Sequence, residues 1–300
     1  MQGSSTKPSN ALGSEQWPFS VKLSTPSIGA EIGDIDLTAP LDEATCRALR
    51  QALVRHKVLF FRDQDITPAQ HVALARQFGQ LEIHPAIAHH PDHPELVVFG
   101  RNETKRGREN IYHSDVSWRE IPSMGSILRC VQCPEVGGDT IWVNMVAAYA
   151  NLPEDMKARI ANLKAVHDLL PLFGIGIPDE QHEMLHKQYP PVVHPVVRKH
   201  PETNENVLYV NEAFTTHLAN FGKETKPSYR IGFDFRLAEM DLLKYLFRQA
   251  QAPEYQVRLR WAPNTIAFWD NRSCQHYAVQ DYFPAARHMM RATIIGDRPV

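Results

Sequence analysis

Two short stretches, Tyr112-His113-Ser114-Asp115-Val116 and the remote Asn271-Arg272-Ser273-Cys274-Gln275-His276, constrain the fold more than any other feature of the chain. In extended backbone, side chains two apart leave the same face, so His113 and Asp115 can close on one metal ion while Ser114 points away. Two neutral imidazoles and one carboxylate, with the opposite face left open, suit a non-haem Fe(II) centre that has to admit further ligands. If His276 is the third donor, both halves of the 300 residues must fold around one another, which favours a single domain over two. A His-x-Asp pair carries little weight by itself in a chain with 15 histidines, most of which serve as surface or core residues. The pair needs support from other residues.

Support lies downstream of His276, in Arg287-His288-Met289-Met290-Arg291-Ala292-Thr293-Ile294-Ile295. In a strand Arg287 and Arg291 share a face, and guanidinium forks match carboxylate or sulfonate oxygens in a way that a lysine point charge does not. Two inward cations beside a metal ion would repel one another unless anions bind there. Surface ion pairs are the other reading of the same two residues.

The chain resembles the Fe(II)/2-oxoglutarate-dependent dioxygenases of the taurine and aryloxyacetate type. The resemblance runs from about Val21 to the C-terminus. It rests on Tyr112-His113-Ser114-Asp115, the Gly137-Gly138-Asp139-Thr140 turn and Val210-Asn211-Glu212-Ala213-Phe214-Thr215-Thr216. Trp269-Asp270-Asn271-Arg272, Gln275-His276-Tyr277 and Arg291-Ala292-Thr293 complete it. It implies that His113, Asp115 and His276 hold Fe(II), and that Arg287 and the Thr140 hydroxyl hold the far carboxylate of 2-oxoglutarate. It also implies that Arg291, His84 and the Val116 amide receive the anionic end of a substrate, on which Phe173 and Phe214 pack. With O2, oxidative decarboxylation to succinate and CO2 would then drive hydroxylation of the substrate.

A formal charge of -2 offers no basic surface for nucleic acid or membrane, and small-molecule partners fit better. Cys46, Cys130, Cys133 and Cys274 are too scattered for a secreted disulfide framework, and Cys130-x-x-Cys133 lacks the second pair that a zinc tetrahedron needs. Residues 1–17 are polar and lack the apolar core of a signal peptide, and no apolar run is long enough to span a membrane. These features predict a disordered leader over 1–17, one catalytic domain over 18–300 and a cytoplasmic protein. The resemblance adds a homo-oligomer, dimer or tetramer.

Helices are predicted over Leu41–Lys57, from the Thr67-Pro68-Ala69-Gln70 capping signal to Gly79, over Met145–Leu163 with a break at Pro153, and over Leu237–Gln251 with Met240, Leu243 and Phe247 on the packed side. Val58–Phe61, Tyr255–Trp261 and Ile266–Trp269 read as strands, and Ser126–Cys133 with Thr140–Val143 as a hairpin around a glycine turn. His89, His90 and His93 read as a solvated loop, Leu169–Pro191 as a mobile loop over the site, and 221–235 as an added excursion. Many short strands joined by polar turns predict a mainly β fold with covering helices, around a jelly-roll or double-stranded β-helix, cupin-like core.

Departures from the taurine pattern bear on substrate. Where taurine dioxygenases place a tyrosine and an asparagine that hold the substrate amine, this chain has Ile87 and Glu109, and Leu172 stands where a hydroxyl would sit. An apolar wall favours an alkyl sulfonate or alkyl sulfate, attacked next to a heteroatom, over taurine, an aryloxy acid or another carboxylate. Glu109 could still serve an amine if it faces the pocket. A non-catalytic metal-binding jelly roll and a zinc hydrolase are rival readings, which anaerobic Fe(II) and 2-oxoglutarate would separate by the charge-transfer band of the chelate.

Overall fold

The computed structural model describes residues 17–102, 104, 107, 109–220 and 235–300. The expected leader lies outside these residues except for Trp17, and so does the expected excursion over 221–235 except for Phe235. In chain order the first strands are β1 (Ser20–Leu23), β2 (Ala30–Gly33), β3 (Val58–Phe61), β4 (His89–His90), β5 (His93–Arg101), β6 (Ser123–Gln132), β7 (Thr140–Asn144) and β8 (Lys164–His167). There follow β9 (Val192–Pro195), β10 (Val197–Lys199), β11 (Asn206–Leu208), β12 (Thr215–Leu218), β13 (Gln256–Leu259), β14 (Ile266–Asp270), β15 (Cys274–Ala278) and β16 (Arg287–Ile295). The helices are α1 (Glu43–His56), α2 (Pro68–Arg76), α3 (Met145–Ala150), α4 (Glu154–Ile160), α5 (Leu170–Phe173), α6 (Asp179–Gln188) and α7 (Phe235–Arg248).

Local chemistry sets the helix ends. Asp42 caps α1 by accepting from the Thr45 amide at 2.7 Å, and Leu49 and Leu53 are buried on its inner face. At α2 the Thr67 hydroxyl and the Gln70 side chain satisfy each other's backbone amides, a reciprocal capping box. This helix ends at Arg76, before the predicted Gly79. Gly79 instead allows a close approach, since a Cβ there would meet Ile294 Cγ2 at 2.8 Å. Pro153 separates α3 from α4 as expected. On α7 the packed residues are Leu242, Leu243 and Leu246, whereas Met240 is exposed. No helix among the described residues is long and apolar enough to cross a membrane.

The jelly-roll expectation is not met; the fold is mixed α/β with several open sheets. One eight-stranded sheet has the order β1-β2-β3-β14-β6-β16-β5-β4, and three smaller sheets have the orders β13-β7-β15, β12-β8-β9 and β10-β11. The reason lies in how the ladder hydrogen bonds are used. Both edges of β6 are taken by β14 and β16, and both edges of β7 by β13 and β15, so β6 and β7 never pair and no barrel closes through them. The predicted hairpin therefore fails: Gly137 and Gly138, both at positive φ, carry the chain from one sheet to another. The mainly β expectation fails too, because the predicted loop over Leu169–Pro191 contains α5 and α6. His89, His90 and His93 lie on the β4–β5 edge hairpin rather than in a solvated loop.

Two packing layers place the site. Helices α1 and α2 cover one face of the large sheet through Leu49, Leu53, Phe61, Val72 and Phe268. Between the large sheet and the β13-β7-β15 sheet, Trp142 is fully buried against Phe60, Trp261 and Trp269, with ring centroids 5.4, 6.1 and 5.6 Å away. Each such tilted pair contributes about 0.5–1.5 kcal/mol beyond its area. The chain crosses between these sheets at the Asn271-Arg272-Ser273 turn joining β14 to β15. Asp270 anchors that turn. It is fully buried and accepts from Arg272 Nε at 2.9 Å, Arg272 Nη2 at 2.7 Å and His200 Nε2 at 3.0 Å. Burial pushes its pKa up, but the Arg272 charge and hydrogen bonds outweigh burial and hold the carboxyl well below the usual range. Arg272 also pairs with Glu202 at 2.6 Å.

Removing one partner of such a buried pair leaves an uncompensated charge. We expect Arg272→Met to lower stability by about 3–5 kcal/mol, read as a fall in the urea midpoint; an unchanged midpoint would show that the turn does not depend on the pair.

Candidate active site

His113 and His276 are neighbours across an isolated antiparallel bridge, with His113 N donating to His276 O at 3.1 Å and His276 N donating to His113 O at 2.8 Å. Beyond the bridge, His113-Ser114-Asp115 does not continue as the predicted strand, and the chain turns at Asp115. Ser114 still points away as expected, donating to Cys274 O at 2.7 Å. The turn brings Asp115 Oδ1 to 3.9 Å from both His113 Nε2 and His276 Nε2, and the imidazole centroids stand 4.1 Å apart. All three residues are buried, and their donor atoms lie within 4.8 Å of one another. Among the described residues no other group of histidine, cysteine and acidic side chains is gathered this way.

The protonation states suit a metal. His113 Nδ1 donates to Ile111 O at 2.8 Å, which leaves the Nε2 lone pair facing Asp115. Burial lowers the pKa of both imidazoles, with the His113 ring adding to the effect at His276, so both are neutral ligands at neutral pH. For Asp115, burial acts upward, but Arg291 and the two rings outweigh it and the group stays a carboxylate. Its Oδ2 accepts from Ser126 Oγ at 2.7 Å and its Oδ1 from Arg291 Nη1 at 2.5 Å.

Strand β16 places Arg287 opposite Arg101 and Arg291 opposite Val97, so both arginines face one cavity of about 720 Å³. Arg287 donates from Nε to Gly138 O at 3.2 Å, and its Nη2 lies 3.5 Å from Thr140 Oγ1. Among the described residues it has no carboxylate within ion-pair distance, and burial lowers its pKa. A buried cation of this kind calls for an anion. Thr140 Oγ1 also accepts from Trp261 Nε1 at 2.9 Å, so the hydroxyl hydrogen is free to donate. Arg291 lies over the Phe99 ring at 5.2 Å.

The remaining predicted residues line the same cavity. His84 Nδ1 accepts from the Ala86 amide at 3.1 Å, so the neutral ring carries its proton on Nε2. Burial, and then the Arg291 charge, push its pKa down to about 3. Phe173 packs on His84 and Phe214 with centroids 5.3 and 6.2 Å away, and Phe214 meets His113 at 6.1 Å. Val116 is buried at φ 47°, a left-handed value that a β-branched residue adopts at a cost of about 1–3 kcal/mol. Its N–H has no acceptor among the described residues.

Other contributors were not singled out from the sequence. Trp118 stands 6.0 Å from His84 and 6.5 Å from Phe173, close behind the His-x-Asp motif that could have drawn attention to it. Ser126 and Asn271 support Asp115, and only the Trp269-Asp270-Asn271-Arg272 run hinted at this. Glu109 does face the cavity, but it is ion-paired with Arg101 and accepts from Gln280 Nε2 at 3.2 Å. Cys130 and Cys133 are free thiols.

Two imidazoles and one carboxylate on one side of a buried cavity, with a counter-ion-poor arginine beside them, define a mononuclear non-haem iron oxygenase site with room for an anionic co-substrate. The donor set and Arg287, which has no carboxylate partner among the described residues, both fit Fe(II) and 2-oxoglutarate. The chain belongs to the taurine catabolism dioxygenase TauD, TfdA family, whose model matches residues 20–293. It is 35% identical to an alkylsulfatase of Acinetobacter baylyi over 91% of this chain and 84% of the relative. It is 36% identical to an alpha-ketoglutarate-dependent sulfate ester dioxygenase of Pseudomonas putida, over 91% and 88%. A crystal structure of a taurine dioxygenase from Burkholderia xenovorans superimposes with a TM-score of 0.77 at 34% identity, covering 94% of this chain and 92% of that one. The protein is a 2-oxoglutarate-dependent dioxygenase, an oxidoreductase that uses Fe(II) and O2.

Because both imidazoles titrate below the ordinary value of 6.5, protons compete with the metal only in acid. Co(II), a spectroscopic substitute for Fe(II), is expected to bind with level affinity from about pH 8 down to about 6.5 and to weaken below. His113→Ala is expected to lose binding throughout, as an absorption titration would show; binding retained by this variant would remove His113 from the site.

Proposed function

We propose that the enzyme hydroxylates the carbon next to the ester oxygen of an alkyl sulfate, with alkyl sulfonates as the adjoining class. One observation carries the reading: the cavity has a polar end, with the Arg291 cation beside the neutral His84 ring, and an apolar wall of Ile87, Leu172, Phe173, Ile175 and Phe214. The names of the two sulfate-ester relatives support the same class.

Fe(II) with 2-oxoglutarate and O2 supplies the oxidising power, yielding succinate and CO2. The chain's own contribution is placement. His113, Asp115 and His276 hold the metal. Arg287 and the free Thr140 hydroxyl hold the far carboxylate of 2-oxoglutarate. Arg291, the neutral His84 Nε2–H and the Val116 N–H, which has no acceptor among the described residues, would receive the sulfate oxygens, while Phe173 and Phe214 would pack on the alkyl chain. A hydroxyl on the carbon that bears the sulfate ester makes a hemiacetal-type adduct. Its C–O bond to sulfate breaks as the hydroxyl loses its proton, giving an aldehyde and free sulfate.

The Arg101–Glu109 pair argues against an amine-bearing substrate such as taurine, because Glu109 already has its cation. Aryloxy acids and other carboxylates rank below sulfate and sulfonate. A non-catalytic binding role would not need Arg287 or Thr140. The family match over 20–293 supports reading 18–300 as one catalytic domain. A homo-oligomer, dimer or tetramer, extends the reading on the strength of the family resemblance, and a cytoplasmic location on the scattered free cysteines.

A panel of hexyl sulfate, hexanesulfonate, taurine and phenoxyacetate, scored for succinate matched by oxidised product, tests the assignment. Hexyl sulfate or hexanesulfonate should give the tightest coupling; taurine doing so would refute the preference. Arg287→Met should raise the 2-oxoglutarate concentration for half-saturation by about tenfold to a hundredfold, the range of a lost charge-assisted hydrogen bond.

A further inference from the structure

Behind the metal-facing side of Asp115 runs a chain of hydrogen bonds whose direction is fixed at every link. Trp269 Nε1 and the Asp115 backbone amide can only donate, and both point at one atom of the Asn271 side chain, at 2.8 and 3.2 Å. That atom is therefore the amide oxygen, and the Asn271 NH2 group donates to Ser123 Oγ at 2.8 Å and to Ser126 Oγ at 3.1 Å. Since Ser126 Oγ already accepts from Asn271, its single hydrogen is left for Asp115 Oδ2, at 2.7 Å. Ser126, Asn271 and Asp115 are 0%, 1% and 3% exposed, so bulk water does not compete.

The backbone makes this support rigid. Ser126 lies on β6, paired with Trp269 of β14 on one side and with Thr293 of β16 on the other, in the middle of the eight-stranded sheet. We propose that Ser126 is a positioning residue, which ties up Asp115 Oδ2 and so directs Oδ1, the oxygen 3.9 Å from both imidazole Nε2 atoms and also an acceptor from Arg291, to ligate the metal. A carboxylate gripping with both oxygens would intrude on the open face that the keto acid and O2 require. This inference rests on the metal reading of the three-residue site and is independent of the substrate class.

The test is Co(II) titration by absorption of the whole protein, with thermal melting alongside, for the wild type, Ser126→Ala and Ser123→Ala. Ser123 is the control, because it too accepts from Asn271 and is buried, but it donates to the Asp115 backbone O at 3.3 Å and does not touch the carboxylate. Both variants should melt lower. Only Ser126→Ala should weaken Co(II) binding, by about tenfold to a hundredfold, and alter the ligand-field spectrum as Oδ2 is released. Equal weakening in both variants, or wild-type binding and spectrum in Ser126→Ala, overturns the proposal. If Ser126→Ala does not fold, Ser126→Cys leaves no void and weakens the donor, at the cost of a slightly larger atom, and wild-type affinity there overturns it equally. A wild type that binds no Co(II) defeats the metal reading and this inference together, whereas a negative sulfate panel touches neither.

Discussion

The site depends first on a backbone contact. The reciprocal hydrogen bonds between His113 and His276 join two segments far apart in the sequence, before any side chain or metal takes part. Everything upstream serves that contact. The Trp142 cluster fixes the spacing of two sheets, the Asp270–Arg272 pair sets the turn that passes between them, and β15 then arrives with His276 in register. The bridge also explains why the imidazoles lie so close together: a single antiparallel pair puts both side chains on one face.

Electrostatics adds a second layer to this frame. The cavity gathers Arg101, Arg287 and Arg291 around two carboxylates of the chain, Asp115 and Glu109. Asp115 and Glu109 answer Arg291 and Arg101, which leaves Arg287 as the guanidinium without a carboxylate among the described residues. Aromatic rings add to this, with Phe99 under the Asp115-paired Arg291 and Tyr282 at 5.8 Å from Arg287. The neutral histidines are consistent with this field, since burial and nearby guanidinium charge both oppose a further positive charge at His84 and His113.

Much of the site was legible from the sequence, because the side chains that carry its chemistry sit at spacings set by local geometry. Arg287 and Arg291 share a strand face at any register, and Asp42 and Thr67 cap whatever helix follows them. The architecture was less legible because sheet membership is a long-range property. Ser126–Cys133 and Thr140–Val143 look like partners across a glycine turn, yet each finds better ladders elsewhere. The segment over Leu169–Pro191 hid α5 and α6 because its prolines occupy their first turns and N-cap positions, where they start helices rather than break them. Support residues such as Ser126 carry no signal of their own; a serine in a strand becomes informative only when the carboxylate beside it is known.

The lone guanidinium of Arg287 has a thermodynamic corollary. On the proposed assignment its counter-ion is a central metabolite rather than part of the polypeptide, so the folded state is completed from outside the chain. Ligand that binds only the native form raises the unfolding free energy by RT ln(1 + [L]/Kd), about 2.7 kcal/mol at a hundred times Kd. Such an enzyme would be sturdier where 2-oxoglutarate is plentiful and closer to unfolding where it is scarce.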